Sequence, residues 1–317
     1  NNQLRLVAGF AANQFNLPEK TYISYNLATT YKLSKKHLVR AVYSRAPRSA
    51  TIYDTYVDQR VANYQIGYQK YIRLTAEGNR NLKLLTANLL ELGYRGTITP
   101  GLFVDVEVFD ISSENYNSIA YNPSYVKLTG NDTIFVTPLV PTNLPVQLHQ
   151  QGITVSFTSQ LKKVQIKPFI TIQRSRVKNY TPYLNTPDAD WPLLNNPLQN
   201  NIHSGMGTES ALKSTPSVFG GATINYMPTA KLNINLNAYY YSAQTYYHVS
   251  NIVFNDGRRG IDHINAKVIL NASISYEPVK KFHLFCSGKN ILNDKSREFF
   301  RSDAVPVILL AGINYEF

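Results

Sequence analysis

Cysteine is almost absent. Cys286 is the only one in 317 residues, which excludes an intrachain disulfide framework and any cysteine-based metal site. Charge is scarce, at 16% of residues. A disordered chain carries more charge and fewer aromatics, so disorder is excluded. The Ala, Glu, Lys and Leu bias of a coiled coil is missing. Long apolar runs are missing as well. The longest is Val305–Ile313, interrupted by Pro306, whereas a membrane-spanning helix needs about 20 apolar residues.

Catalytic motifs are equally scarce. The six histidines, His37, His149, His203, His248, His263 and His283, show no HExxH spacing and no other metal-ligand spacing. Phosphate-cradling glycine loops and a nucleophile elbow are absent. Asp188 and Asp190 with Asp262 and His263 are the residue types of an omptin-like barrel protease. Asp262 and His263 are adjacent, however, so on a strand they point to opposite faces and make a poor dyad. The chain reads as a non-enzyme that needs no cofactor and no metal. No helix-turn-helix, zinc-finger or RNA-binding signature points to nucleic acid.

What the sequence does contain is tyrosine, asparagine and positive charge. Tyr (23) outnumbers Phe (14), aromatics make up 12%, and the formal net charge is +12. Such a charge suits an anionic partner. Part of it is accounted for by the pairs Lys35-Lys36, Lys162-Lys163 and Lys280-Lys281, each in a short polar link.

The dominant pattern has period two. Leu232, Ile234, Leu236, Ala238 and Tyr240 alternate with Asn233, Asn235 and Asn237, which a strand places on opposite faces. The same rhythm predicts twelve strands, near 3–13, 20–33, 37–46, 84–98, 101–121, 146–161, 164–177, 216–228, 231–246, 263–277, 281–292 and 305–317. Their connections alternate in length. Those at Ser34–Lys36, Pro100, Lys162-Lys163, Pro228–Lys231 and Pro278–Lys281 are very short. Those near 47–83, 122–145, 178–215, 247–262 and 293–304 are long, polar and irregular, and 14–19 is a shorter link at the same end. Short turns at one end and long loops at the other are the arrangement of a transmembrane antiparallel β-barrel. Tyr31, Tyr43, Tyr226, Tyr276 and Tyr315 at strand ends suit its aromatic girdle. A soluble β-sandwich also alternates, but it scatters long connections over both ends. No linker or composition break divides residues 1–317, so a single barrel domain is expected.

Several motifs carry a resemblance. The last eleven residues place Val307, Leu309, Ala311, Ile313, Tyr315 and Phe317 on one face and end in an aromatic. This resembles the terminal strand that the barrel-assembly machinery reads in Gram-negative outer-membrane proteins. Gly288–Glu298 is similar to the penultimate-strand motif of TonB-dependent receptors, with Ser296 where that family has Tyr. Ala41–Thr51 resembles the family's Tyr-Ser-Arg-Ala strand end with its proline displaced. Gly78-Asn79-Arg80-Asn81-Leu82-Lys83 resembles Gly-Asn-Pro-Asn-Leu-Lys, with Arg80 for Pro. The tyrosine- and asparagine-rich style looks like Bacteroidetes members.

The resemblance implies an all-β fold, the last twelve strands of a 22-stranded plugged barrel in the outer membrane of a Gram-negative bacterium. It implies active uptake of a scarce solute, of the siderophore-iron, cobalamin or glycan class. The implied partners are outer-membrane lipid and lipopolysaccharide, the barrel-assembly machinery, TonB acting through an absent plug, and the missing N-terminal strands. A self-contained twelve-stranded pore or secretion barrel is the alternative, since such barrels are physically allowed. The chain starts at Asn1 inside a strand-like pattern, so either a signal has been removed or a longer chain precedes it. Twelve strands cut from a larger barrel leave two open edges, which lipid cannot satisfy.

For a receptor, loop and rim residues have to converge on the ligand. The candidates are Arg45, Arg48, Tyr53, Tyr56, Trp191, Tyr246, Tyr247, His248, Arg258, Arg259, Arg297 and Arg301. Asp105 and Glu107, alternating with Val104, Val106 and Val108, are expected to pair with Lys or Arg on a neighbouring strand or on the plug.

Overall fold

The computed structural model describes residues 3–16, 19–179, 207–247, 261–299 and 302–317. The described chain is nearly all strand: β1 (Leu4–Asn16), β2 (Glu19–Lys32), β3 (His37–Arg48), the short helix α1 (Ile52–Tyr56), β4 (Asp58–Gly67), β5 (Lys70–Glu77), β6 (Leu85–Thr99), β7 (Leu102–Glu114), β8 (Asn117–Tyr121), β9 (Tyr125–Thr129), β10 (Asp132–Asn143), β11 (Gln147–Gln160), β12 (Val164–Lys178), β13 (Glu209–Ala211), β14 (Val218–Thr229), β15 (Leu232–Tyr241), β16 (Gln244–Tyr247), β17 (Ile261–Ile264), β18 (Lys267–Val279), β19 (Phe282–Lys289) and β20 (Ile308–Tyr315).

Twelve of these form one antiparallel meander in the order β1-β2-β3-β6-β7-β11-β12-β14-β15-β18-β19-β20, with β13 added beside β12. All twelve strands expected from the alternation are present. Most run 12 to 15 residues, longer than the 9–11 or so that a tilted membrane strand needs. The tight turns use backbone that few residues tolerate. Gly101 at the β6–β7 turn has φ +83° and Lys281 at the β18–β19 turn has φ +72°.

The meander has two unlike faces. One carries Leu6, Phe10, Ile23, Leu27, Tyr43, Leu92, Val108, Ile153, Ile172, Ile274, Leu309 and Ile313, all exposed. Leu6 and Phe10 are each 71% exposed and Leu309 is 72%. In water a sheet buries such a face against a second layer, so exposure on this scale marks a surface made for lipid or a partner. The other face is polar and cross-linked strand to strand. Thr154 and Thr171 hydroxyls meet at 2.9 Å, Gln150 donates to Gln173 at 2.7 Å, and Thr223 donates to Asn237 at 2.8 Å.

Two long connections differ from the expectation of irregular loops. Segments within 49–84 and 115–146 build a second, five-stranded sheet, ordered β4-β5-β10-β8 with β9 also on β10. The strand expected over 101–121 therefore ends at Glu114, and its last part joins the second sheet as β8. The strand expected over 231–246 ends at Tyr241, and β16 pairs with β17 instead. The penultimate strand stops at Lys289 rather than at 292.

Candidate functional site

The second sheet and the links that flank it hold most of the well-buried apolar side chains. Leu74, Ala76, Leu82, Leu84, Ile134, Val136, Val140 and Val146 are all buried. The link between its two loops is parallel. Ile72, Leu74 and Ala76 of β5 run beside Phe135, Thr137 and Leu139 of β10. Parallel pairing needs a long crossover, and the connection from β5 to β10 supplies it by passing down and up through the meander as β6 and β7.

Two asparagines tie the loops together. The Asn79 amide nitrogen Nδ2 donates to Pro141 O at 2.9 Å, its backbone N–H donates to Asp54 O at 2.8 Å, and its Oδ1 accepts from Asn81 N at 2.9 Å. From the other loop, Asn143 Oδ1 accepts from Lys83 N at 2.6 Å, and Asn143 Nδ2 donates to Lys83 O and Asn115 O. Buried backbone groups need such partners. Helix α1 is fixed by a capping box: Thr51 Oγ1 accepts from Asp54 N at 3.1 Å, and Asp54 Oδ2 accepts from Thr51 N at 3.1 Å. The result is a braced platform at the long-loop end. Tyr116 lies in its base, and burial pushes that phenol above its ordinary range.

On this platform Tyr53 and Tyr56 are about half exposed, and the Arg80 guanidinium lies 5.2 Å from the Tyr56 ring centroid, a cation–π contact. Arg48, at the end of β3, is exposed on the polar face. These residues share one end of the molecule. Arg45 does not join them. It lies on the apolar face beside Tyr25 and Asn88. Tyr246 and Tyr247 lie on β16, facing Asp262 and Ile261 of β17, and the Tyr246 hydroxyl donates to Gln244 Oε1 at 2.9 Å. Arg297 lies half-buried in the β19–β20 connection. Trp191, His248, Arg258, Arg259 and Arg301, with Asp188 and Asp190, fall outside the described residues. His263 Nδ1 is 3.1 Å from Thr245 Oγ1, on the neighbouring strand.

Below the platform, the polar face carries a charge cluster. Arg40 donates to Glu91 Oε1 at 2.9 Å and to Glu107 Oε2 at 2.6 Å, and lies 3.5 Å from Asp105 Oδ1. Asp105 also accepts from Arg95 Nε at 2.6 Å. Asp105 thus pairs with Arg95 on the neighbouring strand β6, as expected, whereas the partner of Glu107 is Arg40, two strands away on β3. The sequence offered no sign that Arg40 would gather three carboxylates. Among the described residues no group of His, Cys, Asp and Glu is placed to hold a metal ion.

Comparison with known families decides the larger question. A family model described as the β-barrel of TonB dependent receptor-like proteins matches residues 1–291. The chain belongs to that family. Its meander is therefore barrel wall, with the apolar face outward and the polar face toward the lumen, and the second sheet sits on the long-loop rim.

Solved structures agree on the fold. The siderophore receptor PirA from Acinetobacter baumannii superposes with a TM-score of 0.70 at 13% identity, over 100% of this chain and 44% of PirA. A variant of the ferric enterobactin receptor PfeA from Pseudomonas aeruginosa gives 0.67 at 14% identity, over 100% of this chain and 43% of that one. The FrpB iron transporter from Neisseria meningitidis gives 0.60 at 11% identity, over 100% and 44%. The chain thus spans less than half the length of these receptors. No match was found among curated proteins.

Proposed function

We propose that this chain is the ligand-presenting wall of an active transporter in the outer membrane of a Gram-negative bacterium, and that its solute is an anionic iron–siderophore complex. The observation that carries the reading is the braced rim platform. It holds Tyr53, Tyr56 and Arg80 at one end of a TonB-dependent receptor barrel, near Arg48. Exposed aromatics and guanidinium groups suit a bulky anionic ligand with aromatic rings, and the +12 balance attracts it from solution. The iron-related names of PirA, PfeA and FrpB support the same solute class. Cobalamin and glycans, the other classes that the resemblance implies, lack that charge complementarity.

Energy is supplied through a plug engaged by TonB, and further strands pair with β1 and β20. Among the described residues, each of these two strands has one neighbour in the sheet, and lipid cannot satisfy the backbone groups on an open edge.

The test is uptake of radiolabelled ferric siderophores by cells whose only such receptor is the full-length protein. Uptake should need TonB and should fall in a Tyr53→Ala, Arg48→Glu double variant. Uptake that persists without TonB would point to a passive pore. Uptake of cobalamin or of an oligosaccharide, with no iron accumulation, would replace the solute class.

A further inference from the structure

The lumen face of the meander is divided by charge. Below the rim, β3, β6 and β7 present Arg40, Glu91, Arg95, Asp105 and Glu107, each carboxylate within reach of an arginine. On the next four strands, β11, β12, β14 and β15, the one charged side chain on this face among the described residues is Lys167. It is exposed and has no ion-pair partner among those residues. Lys267 of β18, at the top of this sector, is buried and held by Glu298 at 3.1 Å.

The uncharged sector has two levels. Nearer the long loops it is aromatic. Phe169 of β12, Gly221 of β14 and Tyr239 of β15 pair in one row. A Cβ on Gly221 would lie 3.0 Å from the Tyr239 ring and 3.2 Å from the Phe169 ring, so both rings lean over the glycine. In the next row toward the rim, Phe219 and Tyr241 stack with ring centroids 6.4 Å apart and planes 16° from parallel. Two residues from Gly221 toward the short turns, about 7 Å along a strand, the row reads Lys167, Thr223, Asn237 and Asn271. The row below it reads Gln165, Asn225, Asn235 and Ser273. These side chains bond to one another. Thr223 donates to Asn237 Oδ1 at 2.8 Å, and Asn237 Nδ2 donates to Asn235 Oδ1.

A solute in transit needs contacts good enough to replace water and weak enough to let it leave. Amides and hydroxyls offer neutral hydrogen bonds, whereas charge-assisted bonds to arginine are about twice as strong. On β3, β6 and β7 an anion would be held by arginines and repelled by the carboxylates beside them. On β11 to β15 it meets flat rings that stack on its own rings, then rows of exchangeable neutral partners, with the Lys167 cation to one side.

We propose that the solute descends along one side of the lumen, the uncharged sector from β11 to β18. The Phe169, Tyr239, Phe219 and Tyr241 rings are its first foothold below the rim, and the asparagine rows lead it toward the short-turn end. The proposal rests on the reading of the solute as anionic and adds the part of the wall that the solute follows.

The test uses cells whose only ferric-siderophore receptor is the full-length protein, with a radiolabelled trianionic ferric tris-catecholate as probe. Surface binding is measured in energy-depleted cells, and the uptake rate is expressed per surface site, so that poor assembly is not read as slow transport. Asn237→Asp puts a negative charge on the proposed path without changing side-chain size. It should slow uptake about tenfold, through repulsion of the passing anion, with surface affinity as in wild type. Lys167→Gln should slow uptake severalfold. Asn26→Asp makes the same change on β2, on the lumen face beyond the charged sector, and should leave uptake unaltered. Equal slowing by Asn237→Asp and Asn26→Asp would overturn the preferred side, and no slowing by Asn237→Asp would overturn the path. A loss of surface affinity that matches the loss of uptake would also overturn it, by placing Asn237 in the outer site. Wild-type cells that neither bind nor import the probe would instead refute the anionic-solute reading, a separate failure.

Discussion

Arg40 on β3 donates to Glu107 on β7 at 2.6 Å, reaching across the intervening strand β6. On the way its Nε donates to Glu91 of β6 at 2.9 Å. One side chain thus pins three consecutive strands on the lumen side, where Arg40 is 22% exposed. Gly93, paired with Arg40 in the ladder, leaves the room, since a Cβ there would collide with the guanidinium.

The first prediction follows. Arg40→Ala leaves Glu91 and Glu107 facing each other without their shared cation. These charges keep some exposure to water and are partly screened, so the expected cost is about 1–3 kcal/mol rather than that of a sealed ion pair. It should be read as a lower urea midpoint for unfolding from detergent. Adding Glu107→Gln should recover part of the loss, because the variant pair no longer opposes two negative charges. Equal midpoints for wild type and Arg40→Ala would show that the cluster is solvated rather than structural.

The meander was legible because its signal is local. Ile23, Tyr25 and Leu27 alternate with Ser24, Asn26 and Ala28 over enough residues to fix a strand and its faces. The motif Gly78–Lys83 was also visible, though not its task, which is to let Asn79 join α1 to β10. The platform was not legible. β10 contains Ile134, Val136 and Val140 at period two, but Pro138 and Pro141 interrupt it, and proline argues against a central strand. Its partner β5 lies in a different loop, so the parallel pairing that buries both leaves no local trace. Alternation sets Arg45 and Arg48 on opposite faces, but the expected strand ended at residue 46, so the place of Arg48 on the polar face was not legible.

A second prediction concerns Gly78. A Cβ at this position would overlap the backbone carbonyl of Thr55 and the backbone nitrogen of Tyr56. Backbone cannot swing aside as a side-chain tip can, so Gly78→Ala should push α1 off the end of β5. Overpacking of this kind costs about 1–3 kcal/mol. The damage should be local: faster hydrogen exchange and protease cleavage in residues 51–83, with exchange in β6 and β7 unaltered. Loss of the whole meander would show that the platform and barrel wall fold as one unit.

The connection after β19 yields a pH prediction. The Ser296 backbone N–H donates to Asp294 Oδ1 at 2.8 Å. That bond holds the Asp294 carboxyl below its ordinary range. The same turn is anchored by Lys267, whose Nζ donates to Ser296 O at 2.8 Å and to Glu298 at 3.1 Å. A folded value below the unfolded one means that ionised Asp294 supports the turn at neutral pH. That support fades as pH drops below the ordinary carboxylate range and through the lowered folded value. Hydrogen-exchange protection around Ser296, corrected for intrinsic rates, should hold from neutral pH to about pH 4 and fall below it. Asp294→Asn should flatten that dependence, since an amide oxygen still accepts but does not titrate in this range. An unchanged acid loss in Asp294→Asn would show that Asp294 does not govern the turn.

The final prediction separates recognition from stability at the end of the chain. Phe317 follows β20 and is fully exposed, touching Tyr315 edge to face with ring centroids 5.3 Å apart. Leu309, Ile313 and Tyr315 share the outward face of β20, and Val307 lies just ahead of it. An exposed ring removes little apolar area from water, so it adds little to the stability of the finished barrel. If its task is to be read by the barrel-assembly machinery, Phe317→Ser should lower the amount of folded protein in the outer membrane several-fold. The fraction that does assemble should unfold at the wild-type urea concentration. Surface labelling of intact cells gives the first quantity, and denaturation of purified protein gives the second. A matching drop in both would place the role of Phe317 in packing against a neighbouring strand. Normal assembly would remove the case for a terminal recognition strand.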